Sequence, residues 1–227
     1  MPYLREIEYS DGSYAHLWAV TETLDELAAL CSRRGIDTSS MLQYKSRTRR
    51  AEVLVELLLL CIIYGKPVLL KHTAHGMPYV EEGKQNVSIT HTHGLVCVAV
   101  NEYHPIGIDV ERKGTRVLRV RDRFLSKNEQ AFVAADDAEA TLIAWTAKEA
   151  LYKLVDDHEA TMRDSLLLDP FKPSIVGTLK FTATYAGRKF TIKSLSWHAH
   201  ILTLAVESCN DLGQNPNVKN KPNIIEL

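Results

Sequence analysis

The chain lacks most of the features that would tie it to a disulfide scaffold, a zinc module or a membrane. Its 227 residues hold only four cysteines, Cys31, Cys61, Cys97 and Cys209. They are widely separated, show no paired spacing and sit mostly in apolar surroundings, so they read as reduced core thiols. No apolar run reaches the roughly 20 residues that cross a bilayer; the nearest approach, 53–64, is interrupted by Glu56. The opening residues have neither the basic start nor the apolar stretch of a signal peptide, and a cytoplasmic location is expected. Charge of one sign is not in excess either. Lys and Arg number 27 against 28 Asp and Glu, a formal net charge of −1, which gives no global electrostatic case for nucleic acid or for a lipid surface.

What the chain does have is enough apolar content, 45%, to bury a sizeable core in one large domain or two small ones. Two short segments carry its chemistry. In Ile106 to Glu111 (IGIDVE), Ile106, Ile108 and Val110 alternate with Gly107, Asp109 and Glu111, the period of a buried strand. Alternation sends Asp109 and Glu111 to one face, about 6–7 Å apart along the strand. Two carboxylates so close on an apolar strand call for a cation, a lysine or water to compensate them. In Trp145 to Lys153 (WTAKEALYK), helical periodicity puts Trp145, Glu149 and Lys153 roughly on one stripe. Paired carboxylates on a strand, with an acid and lysines on a helix, suit a divalent metal and a phosphate.

Around these segments the chain predicts an α+β fold. Strand material from Arg5 to Val20 turns near Asp11-Gly12, and a short helix runs from Leu24 to Arg34 with Thr23 as its cap. A long helix from Arg47 to Tyr64 becomes wholly apolar after Val53, apart from Glu56. Strands follow at Pro67 to Lys71 and Met77 to Glu82, as a hairpin around His75-Gly76, and a further strand pair spans Val87 to Asn101. The second half repeats the rhythm: the strand through Asp109, helices near Lys127 to Ala135 and Glu139 to Val155, then strands near Leu179 to Tyr185, Lys189 to Leu195 and His200 to Val206. The division is therefore 1–104 and 105–209, two similar α/β subdomains side by side, with 210–227 a polar tail expected to be flexible.

The two signature segments, in this order and at this spacing, resemble those of the 4′-phosphopantetheinyl transferases. Thr90-His91, ending the strand Val87 to Thr92, looks like the Ser-His pair of that family. Gly76-Met77-Pro78 occupies the place of its Gly-Lys-Pro, and Phe124 to Glu129 (FLSKNE) resembles its phenylalanine-serine-x-x-glutamate segment. The length looks like the single-chain, pseudo-dimeric type named for surfactin synthetase activation, in which the ligand cleft lies between the two subdomains.

The resemblance implies a reaction. The 4′-phosphopantetheine arm of coenzyme A passes to a serine of an apo acyl or peptidyl carrier protein, with Mg²⁺ on the pyrophosphate and adenosine 3′,5′-bisphosphate released. It implies Asp109, Glu111 and Glu149 as metal ligands, Glu149 being alternatively the base, and Lys148 and Lys153 as pyrophosphate contacts. His91, with Thr90 beside it, would meet the 3′-phosphate. Arg47, Thr48 and Arg50, at a helix start that already favours anions, would assist, and Glu129 would lie near the nucleophile. Met77 departs from the pattern, because methionine cannot pair with phosphate.

Plainer readings compete. Asp109 and Glu111 fit a structural ion network, and Glu149 with Lys153 fits an ordinary helix pair. Trp145 fits a packed anchor, and the basic stretch Arg112 to Lys127 fits a solvated loop. Against the last stands a docking surface for an acidic carrier protein, with apolar residues ringed by cations. A monomer suffices for the transferase. Two other functions remain open: a coenzyme A-binding interaction protein without turnover, and a metal-dependent phosphoesterase with water as acceptor.

Overall fold

The computed structural model describes residues 3–81, 83–173 and 177–208. Strands β1 (Tyr3–Glu8) and β2 (Ser13–Ala19) form a hairpin. Helix α1 (Leu24–Arg33) opens with a full capping box, Thr23 and Glu26 each bonding the other's backbone N–H. Helix α2 (Arg47–Tyr64) is capped by the Ser46 side chain and stopped by Gly65 in the left-handed conformation. Every residue from Val53 to Cys61 is buried, as the continuous apolar run requires. Short strands β3 (Leu70–His72) and β4 (Pro78–Val80) pair alone, followed by β5 (Asn86–Thr92) and β6 (Leu95–Asn101). The sheet order is β1-β2-β6-β5.

The chain then enters β7 (Ile106–Arg112), the short helices α3 (Arg121–Phe124) and α4 (Lys127–Gln130), and the long helix α5 (Ala138–Val155). Strands β8 (Leu167–Leu168), β9 (Thr178–Tyr185), β10 (Arg188–Trp197) and β11 (His200–Glu207) complete a sheet ordered β7-β11-β10-β9-β8. Mixed helix and strand in separate sheets is the α+β class that the sequence predicts. Three buried clusters hold it. One packs α1 and α2 on Val96, Val98 and Val100 of β6. A second packs α5 on β10 and β11. The third is shared by the two sheets: Ala15, Leu17, Cys97 and Ala99 from one, Ile106, Ile108, Val110, Leu202 and Leu204 from the other. A buried charge pair reinforces this junction, Lys193 Nζ of β10 lying 2.6 Å from Asp11 Oδ2 in the β1–β2 turn.

Several expectations need correction. The helix expected from Lys127 to Ala135 ends at Gln130. The stretch 112–127 is not a solvated loop: a 3₁₀ turn at Arg116–Val120 and α3 bury Val117, Arg121 and Phe124. Arg121 donates to the carbonyls of Gln130 and Val133, so one of the expected docking cations is structural. The two-residue β8 carries no sequence signal. Cys31, Cys61 and Cys97 are buried free thiols, and burial raises the Cys31 thiol to about 11. Cys209, Glu82 and the tail 210–227 lie outside the described residues.

Candidate active site

Strand β7 serves two masters because its two faces differ. Ile106, Ile108 and Val110 enter the core between the sheets, which leaves Gly107, Asp109 and Glu111 facing α5. Gly107 lets that helix approach: a Cβ there would overlap the Ala150 carbonyl oxygen and stand 2.9 Å from its carbon. The close approach brings Lys153 across the strand. Its ammonium donates to the Ile108 carbonyl at 3.0 Å and to Asp109 Oδ1 at 2.8 Å.

The second support comes from β5, whose alternate residues Ser88, Thr90 and Thr92 line up along β7. Ser88 Oγ accepts from the Ile108 N–H at 3.0 Å and Thr90 Oγ1 from the Val110 N–H at 3.4 Å. Thr90 also donates to Asp109 Oδ1 at 3.1 Å, and Thr92 reaches Glu111 Oε2 at 3.5 Å. Side-chain hydroxyls thus replace a backbone ladder between the two sheets. Asp109 is buried, and while Oδ1 has two partners, Oδ2 is buried with none.

Three acids feel one another here. Burial first, then the charges of Asp109 and Glu111, outweigh Lys153 and lift the Glu149 carboxyl to about 7. Glu111 is also raised, by burial and then by Asp109, against the pull of Trp145, Thr92 and Lys153. Crowded hard oxygen donors and an orphaned buried carboxylate oxygen fit a divalent cation such as Mg²⁺. Among the described residues, however, no three His, Cys, Asp or Glu side chains stand ready as a cation cage. Lys153 is the cation that Asp109 holds in this structure.

Lys153 also lines a cavity of about 200 Å³ bounded by Gly76, Met77 and Pro78 on one side and by Tyr152, Asp156 and Asp157 on the other. At this cavity His75 from the β3–β4 turn and His158 beyond α5 stack with ring centroids 4.7 Å apart. Met77, the position at which the sequence resemblance expects a lysine, lines this cavity. Met77→Lys is expected to tighten coenzyme A binding about two- to fivefold, the scale of a partly solvated ion pair. Unchanged affinity by calorimetry would show that position 77 does not touch the ligand.

Lys148 and Glu129 are not part of this group. Lys148 is fully buried, donating to Glu129 Oε2 at 2.7 Å and to the Met162 carbonyl at 2.6 Å. Glu129 is equally enclosed. It caps α4 through the Ser126 N–H and accepts from the Leu168 N–H at 2.8 Å. Beside the expectation that Lys148 contacts pyrophosphate and that Glu129 lies near the nucleophile stands this geometry: both side chains are covered and bonded to each other, a brace between α4, α5 and β8. Lys148→Met should leave a buried, unpaired carboxylate and cost about 3 kcal/mol of stability, read from urea unfolding. Coenzyme A affinity of the folded variant should be retained; its loss would return Lys148 to the ligand site.

At the start of α2, Arg47 and Thr48 are exposed, and Arg50 Nε donates to the Tyr44 carbonyl at 2.7 Å. Two neighbours that the sequence motifs do not mark, Arg49 and Glu52, are better connected. Arg49 Nη1 bonds Glu56 at 2.8 Å and Glu52 at 3.3 Å, and Glu52 Oε2 lies 3.5 Å from His91 Nδ1. Their spacing, 49, 52 and 56, is one charged stripe on an apolar helix, a signal that was available.

No curated protein matches the chain. Residues 105–206, the stretch holding Asp109, Glu111, Glu149 and Lys153, match the family model of the 4′-phosphopantetheinyl transferase superfamily, a match that supports phosphopantetheinyl transferase activity in general.

Proposed function

We propose that the chain transfers the 4′-phosphopantetheine arm of coenzyme A to a serine of an apo acyl or peptidyl carrier protein, releasing adenosine 3′,5′-bisphosphate. The observation that carries this reading is the double engagement of Lys153, bonded to Asp109 and lining the cavity beside Gly76-Met77-Pro78. A ligand in that cavity would reach the acids through one side chain.

Asp109 and Glu111, with Glu149 beside them, would hold Mg²⁺, which when bound neutralises charge on the diphosphate. The serine oxygen forms its bond to the phosphorus that carries the pantetheine arm, and the bond from that phosphorus to the bridging oxygen breaks. Glu149, where it does not itself ligate the metal, is the base that receives the serine proton. Lys153 supplies positive charge to the leaving oxygen. His91 borders the 3′-phosphate, with Arg47, Thr48 and Arg50 at the anion-favouring start of α2 and Thr90, whose side chain faces Asp109, beside it on β5. The exposed cations of 112–127 form the docking surface for an acidic carrier protein. We read the enzyme as cytoplasmic, monomeric and built of two related halves, 1–104 and 105–209.

The test is incubation with coenzyme A, Mg²⁺ and a panel of apo carrier proteins, followed by mass spectrometry. A phosphopantetheine-sized gain on a carrier serine is expected. Coenzyme A binding without any gain would favour an interaction protein, and adenosine bisphosphate formed without carrier a phosphoesterase.

A further inference from the structure

We propose that Glu52 is the positioning residue for His91, its carboxylate accepting from the Nδ1–H of the imidazole so that Nε2, protonated when the ligand binds, donates to the 3′-phosphate of coenzyme A. The inference rests on the reading above that His91 meets that phosphate; the role of Glu52 is new to it.

Three observations carry it. First, alternation along β5 sends Thr90 to Asp109 and its neighbour His91 the other way, to α2, where Glu52 Oε2 lies 3.5 Å from Nδ1. Second, Glu52 is itself held. Arg49 Nη1 reaches Glu52 Oε2 at 3.3 Å and Glu56 Oε1 at 2.8 Å, and the guanidinium lies over the Tyr44 ring, 5.2 Å from its centroid. Glu56 is buried, so the far end of the chain is anchored in the core of α2. Third, Arg49 is thereby shared between two carboxylates, which ties Glu52 to the more deeply buried Glu56.

A histidine whose one nitrogen is bonded to a carboxylate has its tautomer and ring orientation set, and the other nitrogen is left to face a ligand. Without such a partner the ring of a half-exposed histidine turns about its χ angles, and that freedom is lost on binding. Burial, joined by the charges of Arg49 of α2 and Lys153 of α5, holds the imidazole below its usual range, against the opposing pull of Glu52 of α2 and Asp109 of β7. Of these, Glu52 is the one at ion-pair distance.

The test compares coenzyme A with 3′-dephospho-coenzyme A by calorimetry on the full-length protein. Glu52→Ala is expected to weaken coenzyme A roughly five- to tenfold, the scale of one lost charge-assisted contact. It should leave 3′-dephospho-coenzyme A within twofold and raise KM with kcat little changed. Glu52→Gln, which keeps an acceptor oxygen, should recover most of the loss. Added to His91→Ala, Glu52→Ala should do no further harm, since the two act as one unit. Equal weakening of both ligands, or full additivity with His91→Ala, would overturn the proposal and make Glu52 a structural residue. If His91→Ala itself fails to discriminate the two ligands, the underlying placement of the 3′-phosphate falls first and Glu52 with it. Nitrogen shifts of the His91 ring in the unaltered protein give a check that needs no variant: without ligand the proton should reside on Nδ1, with coenzyme A both ring nitrogens should carry one, and an Nε2–H tautomer in the free protein would overturn the assignment.

Discussion

Gly107→Ala should leave the chain severely destabilised and inactive, although it adds a single methyl group and removes no functional side chain. The added carbon would overlap the Ala150 carbonyl oxygen, stand 2.9 Å from its carbon and lie 3.1 Å from the Leu154 nitrogen. All of these are main-chain atoms, so no rotamer relieves the clash. Either α5 lifts off β7 as a body or the strand bends, and both open the core in which Ala147, Ala150 and Leu151 are buried. Overpacking costs about 1–3 kcal/mol where side chains can yield; against backbone the upper end or beyond applies, roughly 3 kcal/mol or more. The displacement also draws Lys153 from Asp109, so any folded fraction should have little turnover. Gly114→Ala is the control. A Cβ at Gly114 meets nothing within 4 Å, and its urea midpoint should match that of the unaltered protein. Equal midpoints for both variants would mean that strand and helix are not in main-chain contact at Gly107.

That glycine shows what a sequence displays and what it withholds. The IGIDVE alternation announces a strand and puts Asp109 and Glu111 on one side; it says nothing of a helix resting on Gly107, because close approach is a property of two elements. Helix limits were readable where chemistry marks them. Ser46 and Gly65 delimit α2, and Thr23 with Glu26 opens α1. The burial of Lys148 and Glu129 has local signals in the sequence. Lys148 shares a stripe with Ala144 and Leu151, both fully buried, whereas Glu149 and Lys153 share another with Trp145. Ser126 to Glu129 has the spacing of a capping box, which is the role Glu129 fills. His91 was singled out, yet the carboxylate that faces it lies on another element, and only the folded arrangement of α2 against β5 supplies that pairing.

Asp109→Asn should separate the cost of the site from its use. The amide keeps an oxygen to accept from Thr90 and Lys153, and it removes the negative charge that both Glu149 and Glu111 feel. Three carboxylates crowded around one lysine disfavour the folded state, so the variant should unfold at the same urea concentration or a slightly higher one. Turnover should nevertheless fall roughly 10³-fold or more, because the buried Oδ2 that has no partner is the donor a divalent cation would use, and an amide nitrogen there cannot serve. Asp109→Ala should lose turnover as fully but also stability, since Thr90 and Lys153 are then left without their acceptor. Lys153→Ala should lower turnover steeply through a different deficit, the missing charge on the leaving oxygen. Near-normal rates in Asp109→Asn with carrier protein and Mg²⁺ supplied would mean that Asp109 only pins Lys153 to β7. A stable but inactive Asp109→Asn would instead identify a carboxylate retained for its chemistry at the expense of the fold.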